Sequence, residues 1–181
     1  MPLTAAAGSI SLAVDYLRTT LADSAAFRTW AGAANQAAAL ARIYYESLPP
    51  PANGNEHTLA ELAAYRPYAL VWVSPEDGFR KRHISQAASF GYAQSGTMLF
   101  RMLQTVDPAI ANDPAEISRR FINTIGTIFD EFEDLCGLAG YLAIESMEID
   151  FGPYRGDPDE KTTQGDYIGI DINVSWGIES A

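Results

Sequence analysis

Few groups in this chain could do covalent or metal chemistry: two histidines, His57 and His83, and one cysteine, Cys136. A nucleophilic site would set the Cys136 thiol beside one imidazole, which draws the proton and leaves a thiolate. Zinc would need several His or Cys at ligand spacing, and neither histidine has one near it in sequence. Cys136 falls at the end of an amphipathic stretch, where a small buried or boundary thiol is expected. His57 lies among turn residues and His83 in a basic run, both places for solvated loop side chains. A small hydrolase therefore requires Cys136, His57 or His83 to converge in space.

Two carboxylate clusters raise other chemistry. DPDE (157–160) with Asp166 gathers oxygens as a calcium loop does. Its spacing departs from D-x-D-x-D-G with a distal Glu, so a solvated hairpin loop is expected. In DEFED (130–134), Asp130, Glu131, Glu133 and Asp134 fall mostly away from the apolar stripe of their helix, giving a solvated or partner-facing side. G-x-G-x-x-G, Walker and G-x-S-x-G patterns are absent. The expectation is a non-enzyme with no catalytic residue, no cofactor and no metal.

What remains is a matter of charge and faces. Phe79, Arg80, Lys81, Arg82 and His83 form the only concentrated basic patch in an acidic protein. Such a run is either a solvated loop tip or a grip on something acidic. Of the grips, a neighbouring subunit is preferred to a DNA phosphate, since the rest of the chain repels phosphate. The second oddity is GDYIGIDINVSWG (165–177), apolar at every second position from Ile168 to Trp176. That period of two predicts a strand buried on one face. Asp171 and Asn173 on its other face are poor strand formers and need something to meet.

The elements that must position these groups follow from periodicity. Ile10, Val14, Leu17 and Leu21 predict a first helix of about twenty residues. Asp23 or Ser24 is placed to cap a second, short helix with Phe27 and Trp30. The alanine-rich stretch 31–41 reads as helix or as loop. Arg42 to Glu46 reads as a strand stopped by LPPPANGN, and HTLAELAAYRP as a short helix or turn ended by Pro67. PYALVWV (67–73) and SGTMLFRMLQ (95–104) form partner strands, each apolar on both faces, so both faces need cover. Helices supply one cover, and a second subunit is a candidate for the other. Residues 74–94 join them as a long loop of the kind that is usually functional or mobile.

NDPAEISRRFINTIGTIFDEFEDLCG (112–137) predicts the longest helix. Asp113 is its N-cap, Pro114 its first residue, Glu116 the capping-box partner and Gly137 its stop. Ile117, Phe121, Ile125, Ile128, Phe132 and Leu135 make its apolar stripe. Gly126 in mid-helix is expected to mark close backbone approach to a strand. A final hairpin (141–177) follows, with a phase switch that a bulge near Glu145–Ser146, or a helical start to the segment, would produce. Helices interleaved with adjacent antiparallel pairs indicate an α+β fold: a mainly antiparallel sheet with helices packed on one face and a long hairpin loop, in one domain, 1–181.

Composition narrows the classes. At 181 residues the chain supports one sizeable core, burying roughly 70% of its unfolded surface. Apolar residues are 48% and charged residues 19%, which is globular. Twelve basic against 23 acidic residues give a net charge of −11, unsuited to holding nucleic acid but suited to a surface that DNA slides past, and equally to a merely soluble cytoplasmic protein. One cysteine excludes an intramolecular disulfide framework. No apolar run approaches the roughly 20 residues that span a bilayer, and the start lacks the basic region of a signal peptide, so folding in a reducing cytoplasm is expected.

The order SISLAVDYLRTTLADSAAF, ARIYYESLPPP, PYALVWV, SGTMLFRMLQ, the helix RRFINTIGTIFDEFEDL and the closing strand GIDINVSWG resembles the tail terminator and tail-completion proteins of long-tailed bacteriophages. The resemblance covers most of the chain as a pattern of elements and turns. It implies a ring-forming subunit, usually one of six, on the head-proximal end of the tail tube. There it stops tube polymerisation and offers a docking surface to the head connector, without cofactor or covalent chemistry. The implied partners are itself, the tail tube protein and head-connector proteins, with DNA only as passing cargo and no membrane. The implied location is the virion neck, after assembly in the host cytoplasm. Carried over by position, the loop 74–94 and the final hairpin become interface elements, with Phe79, Arg80, Lys81, Arg82, His83, Asp171 and Asn173 as candidates. On that reading Asp171→Lys leaves the monomer folded and weakens assembly. The alternatives are a head-closure or connector adaptor and, from another class, a soluble α+β module that binds a ligand or peptide in a groove.

Overall fold

The structure, a computed structural model, describes residues 10–52, 54, 56–73, 79–86, 89–139, 142–156 and 167–180. The first stripe folds as α1 (Ile10–Asp23), with Val14, Leu17 and Leu21 buried. Ser24 breaks it and caps α2 (Ala25–Trp30), its hydroxyl accepting the Phe27 N–H at 3.0 Å. The rest of that cap comes from more than 100 residues away. Glu131 accepts from the Ser24 hydroxyl at 2.9 Å and from the N–H groups of Ala25 and Ala26 at 2.9 and 2.8 Å. A carboxylate here meets the positive end of the helix dipole. The bond from Ala26 leads the causes that hold the Glu131 carboxyl below the ordinary glutamate range. Glu131 therefore leaves the solvated face expected of DEFED, while Asp130, Glu133 and Asp134 are exposed.

The alanine-rich stretch is both: residues 31–35 turn, and 36–40 form α3 (Gln36–Leu40), capped by the Asn35 side chain on the Ala38 N–H. The strand β1 (Ile43–Tyr45) follows, then α4 (Leu59–Tyr65), which starts in a Thr58–Glu61 capping box. Arg42 closes the other end of α4, donating to the carbonyls of Tyr65 and Ala64 at 2.8 and 3.2 Å. A cation on the last carbonyls of a helix satisfies groups that the helix itself cannot.

Next come β2 (Tyr68–Val73), β3 (Phe79–Gln86) and β4 (Ser89–Thr105), then α5 (Pro114–Ala139), β5 (Ala143–Arg155) and β6 (Tyr167–Ser180). Asp113 caps α5 as expected, accepting the Glu116 N–H at 3.1 Å. Glu116 itself does not return to the cap; it grips Arg119 and Arg120 on the next turn. The helix also runs two residues past Gly137. Gly126 shows no close backbone approach, because a Cβ there would meet nothing within 4 Å.

Five strands run in the order β1-β2-β4-β6-β5, with only β1–β2 parallel. The expected pair of doubly apolar strands is present, Val71 opposite Phe100 and Leu70 opposite Arg101. The excursion between them is largely not loop. It holds a hairpin, β3 against the first half of β4, with Phe79 opposite Gly96 and Gln86 opposite Ser89. The expected bulge lies between Ile144 and Ser146, and two more shifts follow, at Ile149/Phe151 and Phe151/Tyr154.

The helices α1, α2, α3 and α5 cover one face. Ile168, Ile170, Ile172, Val174 and Trp176 of β6 join Met98, Phe100 and Met102 of β4 in a core with Phe121, Ile125, Ile128 and Phe132 of α5. Phe100, Phe129 and Phe132 meet edge to face at 5.7 to 5.8 Å, the arrangement their ring quadrupoles prefer. Among the described residues no helix is long and apolar enough to cross a membrane.

Candidate functional site

The other face of the sheet carries the second set of apolar residues and the misplaced charges. Register fixes its members: Tyr68, Leu70 and Trp72 on β2 oppose Leu103, Arg101 and Leu99 on β4, and these oppose Gly169, Asp171 and Asn173 on β6. Part of this face is covered by the chain itself, since the segment after β1 and α4 lie over it. Between that cover and β5 lies an open cleft of about 510 Å³. Glu46, Ser47 and Leu48, with His57 and Leu62, form one wall; Phe151, Tyr154 and Tyr167 form the other, over a floor of Tyr68, Leu70, Arg101 and Leu103.

The second bulge of β5 explains the aromatic wall. Each one-residue shift moves the following side chains to the opposite face. Phe151 thereby comes to lie opposite Asp171, on the cleft side, where it is 62% exposed. Tyr154 lies opposite Gly169, where its ring crosses β6; a Cβ at residue 169 would come within 2.6 Å of that ring. A glycine in a strand interior marks such a close approach.

The electrostatic centre of the cleft is internal. Asp171 is 4% exposed, and Arg101 holds it through two bonds, Nε to Oδ1 at 2.8 Å and Nη2 to Oδ2 at 2.6 Å. The Tyr154 hydroxyl donates to the same Oδ1 at 3.3 Å. The bonds to Asp171 push the Arg101 guanidinium above its ordinary value, so its charge is permanent. Arg101 also lies 5.3 Å from the Trp72 ring centroid, and Arg66 sits 4.7 Å over Tyr167. Burial pushes the phenols of Tyr68 and Tyr154 up, and the Asp171 charge adds to the effect at Tyr154. Both stay protonated and serve as hydrogen-bonding groups rather than bases.

Asp171 meets a partner within its own chain: burial makes a carboxylate demand a cation, and Arg101 supplies it. Asn173 lies on the same face, half-buried, its Oδ1 without a hydrogen-bond partner among the described residues. Arg80, Lys81 and Arg82 lie on β3 opposite Ser95, Gln94 and Ala93, between Phe79 and His83. The carboxylates at 157–160 and Asp166 lie outside the described residues.

Of the groups that a hydrolase would need, Cys136 and His57 do not meet. Cys136 is fully buried in the helix layer, where desolvation pushes its thiol up to about 12. His57 lines the cleft on the other side of the sheet, edge-on to Tyr65 at 5.6 Å, its Nδ1 without a partner among the described residues. No His, Cys, Asp or Glu cluster able to hold a metal occurs among the described residues. What the cleft can do chemically is receive a flat or apolar group against aromatic rings, with phenols and a fixed guanidinium to orient it.

The Arg101–Asp171 centre escaped the sequence reading, although a signal existed. One arginine in SGTMLFRMLQ and one aspartate in GIDINVSWG each interrupt a strand with apolar neighbours, and adjacent strands can bring such opposites together. Neither a scan against protein-family models nor a search of the curated proteins finds a match to the chain.

Proposed function

We propose that the chain is a ring-forming subunit of the tail-terminator kind, capping the head-proximal end of a bacteriophage tail tube and offering a surface for head joining. The observation that carries this reading is the arm. β4 runs for 17 residues, and only its second half pairs with β2. The first eight, 89–96, pair with β3 on one side, and 92–96 pair also with residues 176–180 of β6 on the other, so the hairpin runs past the described part of β6 by three residues, about 10 Å at 3.4 Å per residue. This arm carries the one concentrated basic run along the outer edge of the sheet in an otherwise acidic chain. An edge of one charge sign on a body of the other suits contact between identical subunits. The acidic balance would also keep a central channel non-adhesive to DNA. The role needs no covalent step and no cofactor.

Native mass spectrometry over a wide concentration range, followed by a tube-capping assay with polymerising tail tube protein, tests the reading. A closed ring, hexameric by resemblance, that halts tube growth is expected. A chain that stays monomeric and leaves tube growth unchanged when tube ends are supplied overturns it. Binding to the head connector but not to the tube would favour the connector-adaptor alternative.

One observation favours a second reading, a ligand- or peptide-binding module: the aromatic cleft of about 510 Å³, within the range of small-molecule sites. Concentration-independent monomers with a ligand-dependent melting shift would select it.

A further inference from the structure

We infer that β3 of one copy docks along β5 of the next, joining copies head to tail through opposite edges of their sheets. The inference rests on the ring-subunit reading and names its interface.

Both strands are edges. β5 ends the strand order and pairs only with β6; β3 pairs only with β4 among the described residues. Each leaves a row of backbone donors and acceptors on its outer side, the usual template for pairing with another chain. β1 is an edge too, but three residues long.

Charge selects which edges meet. β3 carries Arg80, Lys81 and Arg82 and no acid. β5 carries Glu145, Glu148 and Asp150, all exposed. Its one cation, Arg155, stands at the far end and donates to the Ala111 carbonyl at 3.2 Å. Two β3 edges would oppose cations and two β5 edges would oppose anions. Only the unlike pairing is matched, and like-charge repulsion rejects the others. The bulges at both ends of 146–149 leave a short regular stretch on β5, which blunts indiscriminate pairing and leaves the choice to charge.

Apolar surface lies beside the acids. α5 and β5 leave a groove of about 160 Å³ that includes Ile122, Gly126 and Ile149. Ile122 is 40% exposed and Ile149 56%, unusual for large apolar side chains within one small patch. Gly126 has no neighbour in its own chain that would exclude a Cβ, so nothing within the monomer requires a glycine there. An approaching partner would. On the other edge Phe79 and Ile84 flank the basic run in sequence. Pairing unlike edges is a heterologous contact, which closes into a ring when the rotation per copy divides a full turn.

The test is native mass spectrometry of the full chain and three variants: the arm reversal Lys81→Glu with Arg82→Glu, the edge reversal Glu148→Lys with Asp150→Lys, and all four together. Wild type is expected to assemble. Each reversal alone should raise the half-assembly concentration by at least about tenfold. The fourfold variant, or an equimolar mixture of the two reversals, should recover it. A disulfide cross-link between Arg82→Cys and Glu148→Cys chains, favoured over either like pair, checks the same contact with less change of charge. Wild type that remains monomeric, assembly indifferent to either reversal, failure of the fourfold variant to recover, or cross-links no richer in the unlike pair would each overturn the pairing. Rings that ignore the reversals remove the pairing and leave the terminator reading intact. Rings that obey them but do not cap tubes remove the terminator reading and leave the pairing.

Discussion

Arg101 and Asp171 face each other across the β4–β6 ladder and close a two-pronged ion pair, 2.8 Å and 2.6 Å on its two arms. The carboxylate is buried, while the arginine side chain keeps 39% of its surface exposed toward the cleft. The pair is therefore asymmetric. Asp171 depends on Arg101 for its solvation, whereas Arg101 retains water.

That asymmetry sets the order of costs. Arg101→Leu strands a buried carboxylate with Tyr154 as its remaining partner and is expected to cost about 3 kcal/mol. Asp171→Leu leaves a partly hydrated cation and should cost about 1 kcal/mol. The double variant should cost less than the sum, as urea unfolding of the four proteins would reveal; additive costs would deny the coupling. Asp171→Lys, which sets an ammonium beside the guanidinium, should destabilise the monomer itself, visible as a lowered melting temperature by circular dichroism.

Glu131 makes stability sensitive to acid. Its folded carboxyl sits below the ordinary glutamate value, so its contribution is fully present above that value, about 4.3. The contribution disappears as pH falls through the lowered folded value, because the protonated acid is a weaker acceptor for the α2 cap. Glu131→Gln should cost about 1 kcal/mol at pH 7 and flatten the stability profile below about pH 4. Equal acid dependence in both proteins, by denaturant titration, would count against this role.

Cys136 is expected to be inert in the folded protein. Its thiol is held near 12 and lies inside the helix layer, so a thiol reagent at pH 8 finds neither thiolate nor access. Labelling should speed up by orders of magnitude in denaturing urea and track global unfolding. Fast native labelling would show that α5 opens locally.

Gly126→Ala separates the two roles available to that glycine. With nothing within 4 Å, the added methyl should stabilise the monomer by about 0.5–1 kcal/mol through helix propensity. If a neighbouring copy approaches the groove, the same change should weaken assembly. A higher melting point with unchanged assembly would place the contact elsewhere.

Much of the architecture was legible because it rests on local periodicity. The stripe Ile117, Phe121, Ile125, Ile128, Phe132 and Leu135 could only be one helix face; the first five are buried and Leu135 is half-buried. The alternation from Ile168 to Trp176 could only be a strand with one face in the core, and the phase switch in β5 pointed to a bulge or a helical start, of which the register shows the bulge. Residues 79–86 and 89–94 read as loop in the sequence because paired strands with weak alternation and a basic run look like a loop until their register is known. The candidate site was legible only as an anomaly, charged and polar residues on an otherwise apolar strand, with no indication of what they would meet.

Sequence alone therefore determined the type and order of most elements, β3 excepted, with the helix-facing core and the acidic balance, since each follows from side chains close together along the chain. Tertiary structure decided the rest. It brought Arg101 to Asp171 across 70 residues and Glu131 to the start of α2 across more than 100. It also turned Phe151 and Tyr154 onto the cleft. A charge buried on a strand states that it needs a partner, and only the strand order says which one it receives.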